Sequence, residues 1–365
     1  MGRMIVYAAV PDDTREVRAA EALDVAALAE YLRDNLATQA GAADIVGLDL
    51  AAPMDVSQFP GGHSNLTYLL RFGRAELVLR RPPLGPVPPT AHDMAREYAW
   101  LAAVQPMFPL APQPYLLCVE TSIIGSVFYV MERRRGIVAR EDEPHGLAGE
   151  PRVRERASGA IVDALAELHA IDVTTGAIAG LGRPGGFVGR QVRGWTERWE
   201  RSKTADVPEM DAIATWLAAR VPAGPDRPSI VHGDYKLDNV MLDASDPGRL
   251  VAVLDWEMSA LGDPLVDLGI LLAYWTAGAG GALATVTDRP GWFSREQILE
   301  RYERRSGRTV TNIRFYEAFA RFKIAVVIQQ IYYRYVKGQT DDARFAGLAA
   351  RVVALARQAI GLVRD

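Results

Sequence analysis

The sequence predicts an α+β fold in two lobes, and three observations point to it. The first third of the chain is rich in β-type runs. The remainder carries mostly helical periodicity. Two short apolar β-runs interrupt that helical remainder, and each leads into an acidic cluster.

Residues 1–23 are polar and acidic and read as a loose N-terminal extension. Asp24 fits an N-cap before an Ala/Leu-rich helix over 25–39. Residues 66–72 and 76–80 read as strands, with Gly73-Arg74 as the hairpin turn. A proline-rich break follows at 82–89. Residues 91–104 have helical spacing, with Met94, Tyr98 and Leu101 on one face. Residues 127–131 form another β-type run. Beyond Glu132 the sequence predicts helices over 156–170, 195–201, 212–219, 298–306, 315–335 and 343–364. The short β-runs are 229–231, leading into His232, and 251–254, leading into Asp255. The expected organisation is an extension (1–23), a first lobe (24–132) and a second lobe (133–365).

Bulk properties exclude several classes. The chain has 365 residues, 49% hydrophobic and 24% charged, as in a globular protein. A formal charge of −4 gives no basic footprint for nucleic acid. The single cysteine, Cys118, cannot form an internal disulfide, so a reducing, cytoplasmic setting is expected. The apolar start, Met4 to Val10, is too short for a signal segment, and no run of 18 apolar residues suggests a membrane span.

The chemistry is concentrated between His232 and Asp255. The first stretch reads His232-Gly233-Asp234-Tyr235-Lys236-Leu237-Asp238-Asn239, and the second Leu254-Asp255-Trp256-Glu257. Phosphoryl transfer needs a metal to shield charge, an acceptor for the hydroxyl proton and accurate placement. Asp234 suits the proton acceptor, and Lys236 places a cation beside the moving group. Asn239 and Asp255 offer hard oxygens of the kind Mg²⁺ prefers. The spacing D-x-K-x-x-N, followed by a strand-terminal Asp, matches a kinase catalytic loop and metal aspartate. When the chain folds, 234, 239 and 255 are expected to converge.

These residues resemble the aminoglycoside phosphotransferase/choline kinase-like family. The run from Leu254 through Gly262-Asp263-Pro264-Leu265-Val266-Asp267-Leu268 is similar to its bacterial branch, related to the kinase-like domains fused to some acyl-CoA dehydrogenases. The likeness covers roughly 24–365 and is densest over 228–275. It implies a two-lobed protein-kinase-like fold and an Mg²⁺-dependent kinase. ATP or GTP would be the cosubstrate and a small hydroxyl-bearing molecule the acceptor. By the same likeness Asp267 braces the catalytic loop through backbone amides. Asp263 is a lesser acid of the same run, His232 holds the loop, and Glu257 is a supporting residue near metal-bound water.

The nucleotide end is less regular. The segment from Gln58 to Tyr68 resembles the family's phosphate-covering loop, with Gly61, Gly62, Ser64 and Asn65 as phosphate-binding candidates. The kinase scheme wants a cation on the third strand. Yet the only lysines are Lys203, Lys236, Lys323 and Lys337. Strand alternation puts Val78 and Arg80 on one face, so Arg80 stands where the lysine is expected and Arg81 points the other way. Glu97 is its expected ion-pair partner. Backbone groups of Met131, Glu132 and Arg134 are expected to meet the base.

Other readings are weaker. Gly180-Leu181-Gly182-Arg183-Pro184-Gly185 matches G-x-G-x-x-G only formally, because no strong strand precedes it and the glycines and proline oppose a following helix. There is no Walker A sequence, no zinc spacing among the histidines and no G-x-S-x-G. His169 reads as a packed helix-end residue. A catalytically degenerate nucleotide-binding module is the alternative to an enzyme, and a protein kinase is a third. For the acceptor, residues 256–365 hold 15 Lys+Arg against 11 Asp+Glu. That balance disfavours a polycation and favours a neutral or anionic acceptor with an apolar part, such as a hydroxyacyl thioester.

Overall fold

The structure, a computed structural model, describes residues 13–39, 41–60, 65–84, 93–140, 142–144, 146–275, 283, 286–340 and 342–364. The chain forms two compact units. The first takes the chain to Ile137 together with 243–245 and 251–257. The second holds 138–242, 246–250 and 258 onward.

The first unit is built on a five-stranded antiparallel sheet. Its strands are β1 (Met54–Gln58), β2 (Leu66–Phe72), β3 (Ala75–Arg81), β4 (Pro114–Cys118) and β5 (Phe128–Glu132), in the order β1-β2-β3-β5-β4. Helix α1 (Val25–Asn35) opens at Asp24, whose side chain accepts from the Ala27 amide. It buries Leu28 and Leu32 in a core with Tyr68, Leu70, Phe72, Leu77, Leu79, Phe128 and Val130. Strand alternation sends the intervening residues to the opposite face. There Val78 pairs in register with Met131 and Arg80 with Tyr129. Helix α2 (Met94–Val104), capped by Asp93, packs near β4 and β5. Its buried face is Met94, Glu97, Trp100, Leu101 and Val104, while Tyr98 is only half-buried.

Two edge strands, β1 and β4, have no counterpart in the sequence reading. Edge strands need only one face and one partner, so their patterns are weak. β1 is polar and β4 begins with proline, which an edge tolerates. Residues 13–23 are also held rather than loose. Arg15 and Gln58 exchange backbone hydrogen bonds at 2.9 and 2.8 Å. The Glu21 carbonyl accepts from Tyr68 Oη and Arg81 Nη2, both at 2.7 Å.

The second unit is mainly helical: α3 (Pro151–Ala170), α4 (Phe187–Ser202), α5 (Pro208–Ala219), α6 (Leu265–Trp275), α7 (Arg295–Ser306), α8 (Ile313–Val336) and α9 (Leu348–Arg364). β6 (Ser229–Val231) pairs antiparallel with β9 (Ala260–Gly262). β7 (Val240–Leu242) follows the 232–239 segment, while β8 (Leu250–Val253), which leads toward Asp255, lies mostly in the first unit. Helix α4 does start at Phe187, right after the glycine-rich segment, with Gly186 in the left-handed region at φ 67°. Glycine there allows the chain to enter a helix that the sequence reading ruled out. Helix α3, not a strand, is the regular element before that segment, so it still lacks the strand–loop–helix context of a nucleotide loop.

Helix α8 is the axis of this unit and packs against α4, α5, α6 and α9. Gly269 permits the α6 approach, since a Cβ there would stand 2.6 Å from the Tyr316 carbonyl. Among the described residues one segment, Ala343–Arg364, is long and apolar enough to cross a membrane by length and composition. Its apolar stripe of Val352, Leu355, Ala356, Ala359 and Ile360 is buried within the unit.

Candidate active site

In the first unit a buried cation joins two carboxylates. Strand β3 aims Arg80 at α2, and Arg80 Nη1 donates to Glu97 Oε1 at 2.8 Å. Nη2 donates to Asp255 Oδ1 at 3.1 Å, a contact the sequence reading did not anticipate. Burial alone would weaken the guanidinium charge, but Glu97, Asp255 and Glu257 hold Arg80 firmly protonated. Burial pushes the Glu97 carboxyl up, against the pull of Arg80, and nearby Asp255 and Glu257 push the same way. Arg80 Nε has no hydrogen-bond partner among the described residues, so the fork is not saturated.

Asp255 itself sits at φ 69°, in the left-handed region that a non-glycine residue enters at a cost of about 1–3 kcal/mol. Such strain often accompanies function. Glu257 Oε2 accepts from Asn65 Nδ2 at 2.9 Å, and its carbonyl accepts from Arg96 Nη1 at 2.6 Å. Asn65 and Glu257, assigned separately from sequence, are therefore one contact. Gly61, Gly62 and Ser64 lie outside the described residues.

In the segment expected to meet the base, one backbone donor is engaged elsewhere. The Glu132 amide donates to the Gln113 carbonyl at 2.8 Å, so that N–H is already committed. The Glu132 carboxylate accepts from the Gln113 amide and pairs with Arg134. Arg134 Nη2 also donates to the carbonyls of Pro109 and Ala111. Both side chains act as internal braces. Met131 lies on the Val78–Arg80 face of the sheet. Arg81 turns to the core face, as alternation requires, and is buried against Tyr68.

In the second unit the 232–239 segment is held from several directions. Asp234 Oδ2 accepts from Asn239 Nδ2 at 2.8 Å and pairs with Lys236 Nζ at 2.9 Å. Asn239 Nδ2 also donates to the Asp234 carbonyl at 2.8 Å. Asp234 Oδ1 and Asn239 Oδ1 have no hydrogen-bond partner among the described residues. Burial works against the Lys236 charge, but Tyr274 and Asp234 hold the ammonium above its ordinary range. Lys236 Nζ stands 5.0 Å from the Tyr274 ring centroid.

Asp267, in the first turn of α6, accepts from the amides of His232 at 2.6 Å and Gly233 at 2.8 Å. Its Oδ2 lies 3.3 Å from His169 Nε2, and His169 Nδ1 lies 2.7 Å from Tyr302 Oη. A carboxylate can only accept, so Nε2 carries the proton and Nδ1 accepts from Tyr302. Burial opposes the Asp267 charge, yet His169, His232 and the amides hold the carboxyl below its usual range. His232 Nδ1 accepts from the Asp234 amide at 3.3 Å. Asp263 caps the entry to α6, and its Oδ2 accepts from Tyr316 Oη at 2.6 Å.

Thus Asp234, Lys236, Asn239, His232 and Asp267 form one cluster in the second unit. Arg80, Glu97, Asp255, Glu257 and Asn65 form another in the first. Lys323 and Tyr274 were missed, although Lys323 is one of only four lysines in the chain. The second unit also contains a cavity of about 560 Å³ bordered by Lys236, Asp238, Leu271, Tyr274, Trp275, Arg140 and Arg351.

A divalent cation fits the donor types. Asn239 Oδ1, without a partner among the described residues, and the Asp255 carboxylate, which also accepts from Arg80, are each hard oxygens. Among the described residues no group of three or more His, Cys, Asp or Glu gathers as a metal cage. Few protein ligands suit Mg²⁺, which commonly keeps waters and substrate phosphates.

Comparison with known proteins shows what the chain is similar to. Acyl-CoA dehydrogenase family member 11 of Rattus norvegicus is 33% identical over 362 residues, 97% of this chain and 45% of that protein. The chain spans less than half the length of the first curated relatives it matches, 31% of one and 45% of another. A protein of Ralstonia eutropha JMP134, solved as a candidate aminoglycoside phosphotransferase, is 31% identical with a TM-score of 0.77, covering 94% of this chain and 99% of that one. The ternary complex of a thermostable aminoglycoside phosphotransferase APH(4)-Ia mutant with AMP-PNP and hygromycin B shares the fold at 18% identity and TM-score 0.55, covering 92% and 99%. The fold is therefore the two-lobed protein-kinase-like one. The profile of the phosphotransferase enzyme family matches residues 55–306, more than half of the sequence, so the chain belongs to that family of kinase-type enzymes.

Proposed function

We propose that this protein transfers the terminal phosphoryl group of ATP or GTP to a hydroxyl of a small acceptor, with Mg²⁺. The observation that carries this reading is the asymmetry of Asp234. Its Oδ2 is fixed by Lys236 and Asn239, while Oδ1 has no partner among the described residues. A carboxylate held by one oxygen presents the other in a defined direction. Oδ1 accepts the proton of the attacking hydroxyl and orients its oxygen. Lys236 balances charge beside the moving phosphoryl group. Asn239 and Asp255 would be the residues that hold Mg²⁺, which when bound would supply charge shielding for the developing phosphate. Arg80 grips the phosphates, with Glu97 setting its orientation. Asp267 keeps the loop in register through two amides.

The cavity beside Lys236 suits the acceptor. Its walls combine Leu271, Trp275 and Val286 with the cations Lys236, Arg140 and Arg351 against the acids Asp142 and Asp238. That lining supports a neutral or anionic molecule with an apolar part and argues against a polycationic aminoglycoside. A hydroxyacyl thioester meets that description, and relatives that belong to an acyl-CoA dehydrogenase family add support.

The test is ADP release across a panel of nucleotides and acceptors. Asp234→Ala should lower turnover by about 10²–10⁴-fold, the usual contribution of a general base, with nucleotide affinity retained. Nucleotide binding without acceptor-dependent ADP release in the wild type would favour the degenerate binding module instead. Efficient turnover of kanamycin-like compounds would overturn the acceptor assignment.

A further inference from the structure

Helix α8 buries a lysine that the reaction outlined above does not use. Lys323 is 6% exposed. Its Nζ donates to the Gly233 carbonyl and stands 5.3 Å from the Trp195 ring centroid. No carboxylate pairs with it among the ion pairs of the described residues. A buried ammonium without an ion-pair partner is expensive, and a methionine or leucine would fill the same space more cheaply.

The location of its acceptor is informative. The Gly233 amide donates to Asp267 Oδ1 at 2.8 Å, so the backbone of residue 233 is gripped at the N–H by a carboxylate and at the C=O by an ammonium. Gly233 lies at φ 84°, and the next residue is Asp234. The carbonyl that Lys323 holds belongs to the peptide that leads into Asp234. Fixing that peptide plane fixes where the Asp234 side chain begins.

We propose that Lys323 is a positioning residue for phosphoryl transfer, clamping the Gly233 carbonyl so that the Asp234 carboxylate is presented in its working orientation. This rests on the reading of Asp234 as the proton acceptor. The charged groups around Lys323 are Asp234 and Lys236 on the loop, Asp267 on α6 and Arg198 on α4. Burial brings the ammonium down to about 8, with Lys236 and Arg198 pushing the same way and Asp234 and Asp267 opposing. Deprotonation leaves a weaker donor on the Gly233 carbonyl, so turnover should decline as pH rises through that value.

The test compares the full chain with Lys323→Met and Lys323→Arg. Lys323→Met should lower kcat by about 10²-fold, the scale of a small misplacement, with nucleotide KM within about threefold of wild type. Its pH–rate profile should lose the alkaline limb near 8. Lys323→Arg should recover part of kcat and move that limb upward. Hydrogen exchange of the 229–240 segment needs no turnover, and it should accelerate in Lys323→Met while the rest of the second unit is unchanged. A Lys323→Met protein as stable as wild type, with kcat, pH profile and loop exchange all unaltered, would overturn the proposal. A wild type without kinase activity defeats the Asp234 reading alone, and the exchange measurement still decides whether Lys323 holds the loop. If Lys323→Met does not fold, Lys323→Gln provides the same comparison.

Discussion

Gly233 shows how tightly single positions are specified. A Cβ there would stand 2.7 Å from the Met258 carbonyl oxygen, and φ is 84°. Both the space and the left-handed backbone require glycine. Gly233→Ala should destabilise the fold by about 1–3 kcal/mol, read from urea unfolding, and should lower turnover further by displacing Asp234. At Asp255 the backbone is also left-handed, but the residue carries a carboxylate that Arg80 engages. The sequence marked both residues through His-Gly-Asp and Asp-Trp-Glu. It did not reveal their dihedral angles, because those depend on chain segments packed against them.

At the scale of elements, α6 and its first-turn acid organise the loop. Asp267 is fully buried and accepts two loop amides, so Asp267→Asn places an amide group where only acceptors are satisfied. That change should cost about 1–3 kcal/mol at neutral pH. The sign with pH follows from the lowered carboxyl. Its contribution is fully present well above the ordinary value of 3.8 and is lost as pH falls below it, through the depressed folded value. Chemical denaturation at neutral pH and below 3.8 should therefore show the gap between wild type and Asp267→Asn narrowing in acid. The strand alternation that placed Arg80 opposite Arg81 was legible because period-2 geometry is local. The polar strand β1 and the proline-led β4 were not, since edge strands leave little hydrophobic signature. Glu97 on the buried face of α2 disrupts the apolar spacing, and only the cation on β3 makes that position tolerable.

At the scale of the whole molecule, the cavity beside Lys236 draws its lining from segments far apart in sequence, from Val138 to Arg351. Arg140 and Arg351 have no ion-pair partner among the described residues and face the same cavity. Arg351→Glu should raise KM for an anionic acceptor by about tenfold or more while leaving a neutral alcohol of equal size little affected, since each tenfold is about 1.4 kcal/mol. Steady-state kinetics with a matched carboxylate and methyl-ester pair would check this. Equal effects on both acceptors would show that Arg351 does not read charge.

By itself the sequence determined the α+β class, the loop carrying Asp234, Lys236 and Asn239, and the strand position of Arg80. Each of these is written in short-range spacing, where period and residue type suffice. Only the tertiary structure decided that Arg80 also grips Asp255, that Lys323 holds the Gly233 carbonyl and that a cavity opens beside Lys236. Those contacts join residues tens to hundreds of positions apart, and burial gives them their energetic weight. Local sequence encodes neither their distance nor their dielectric surroundings.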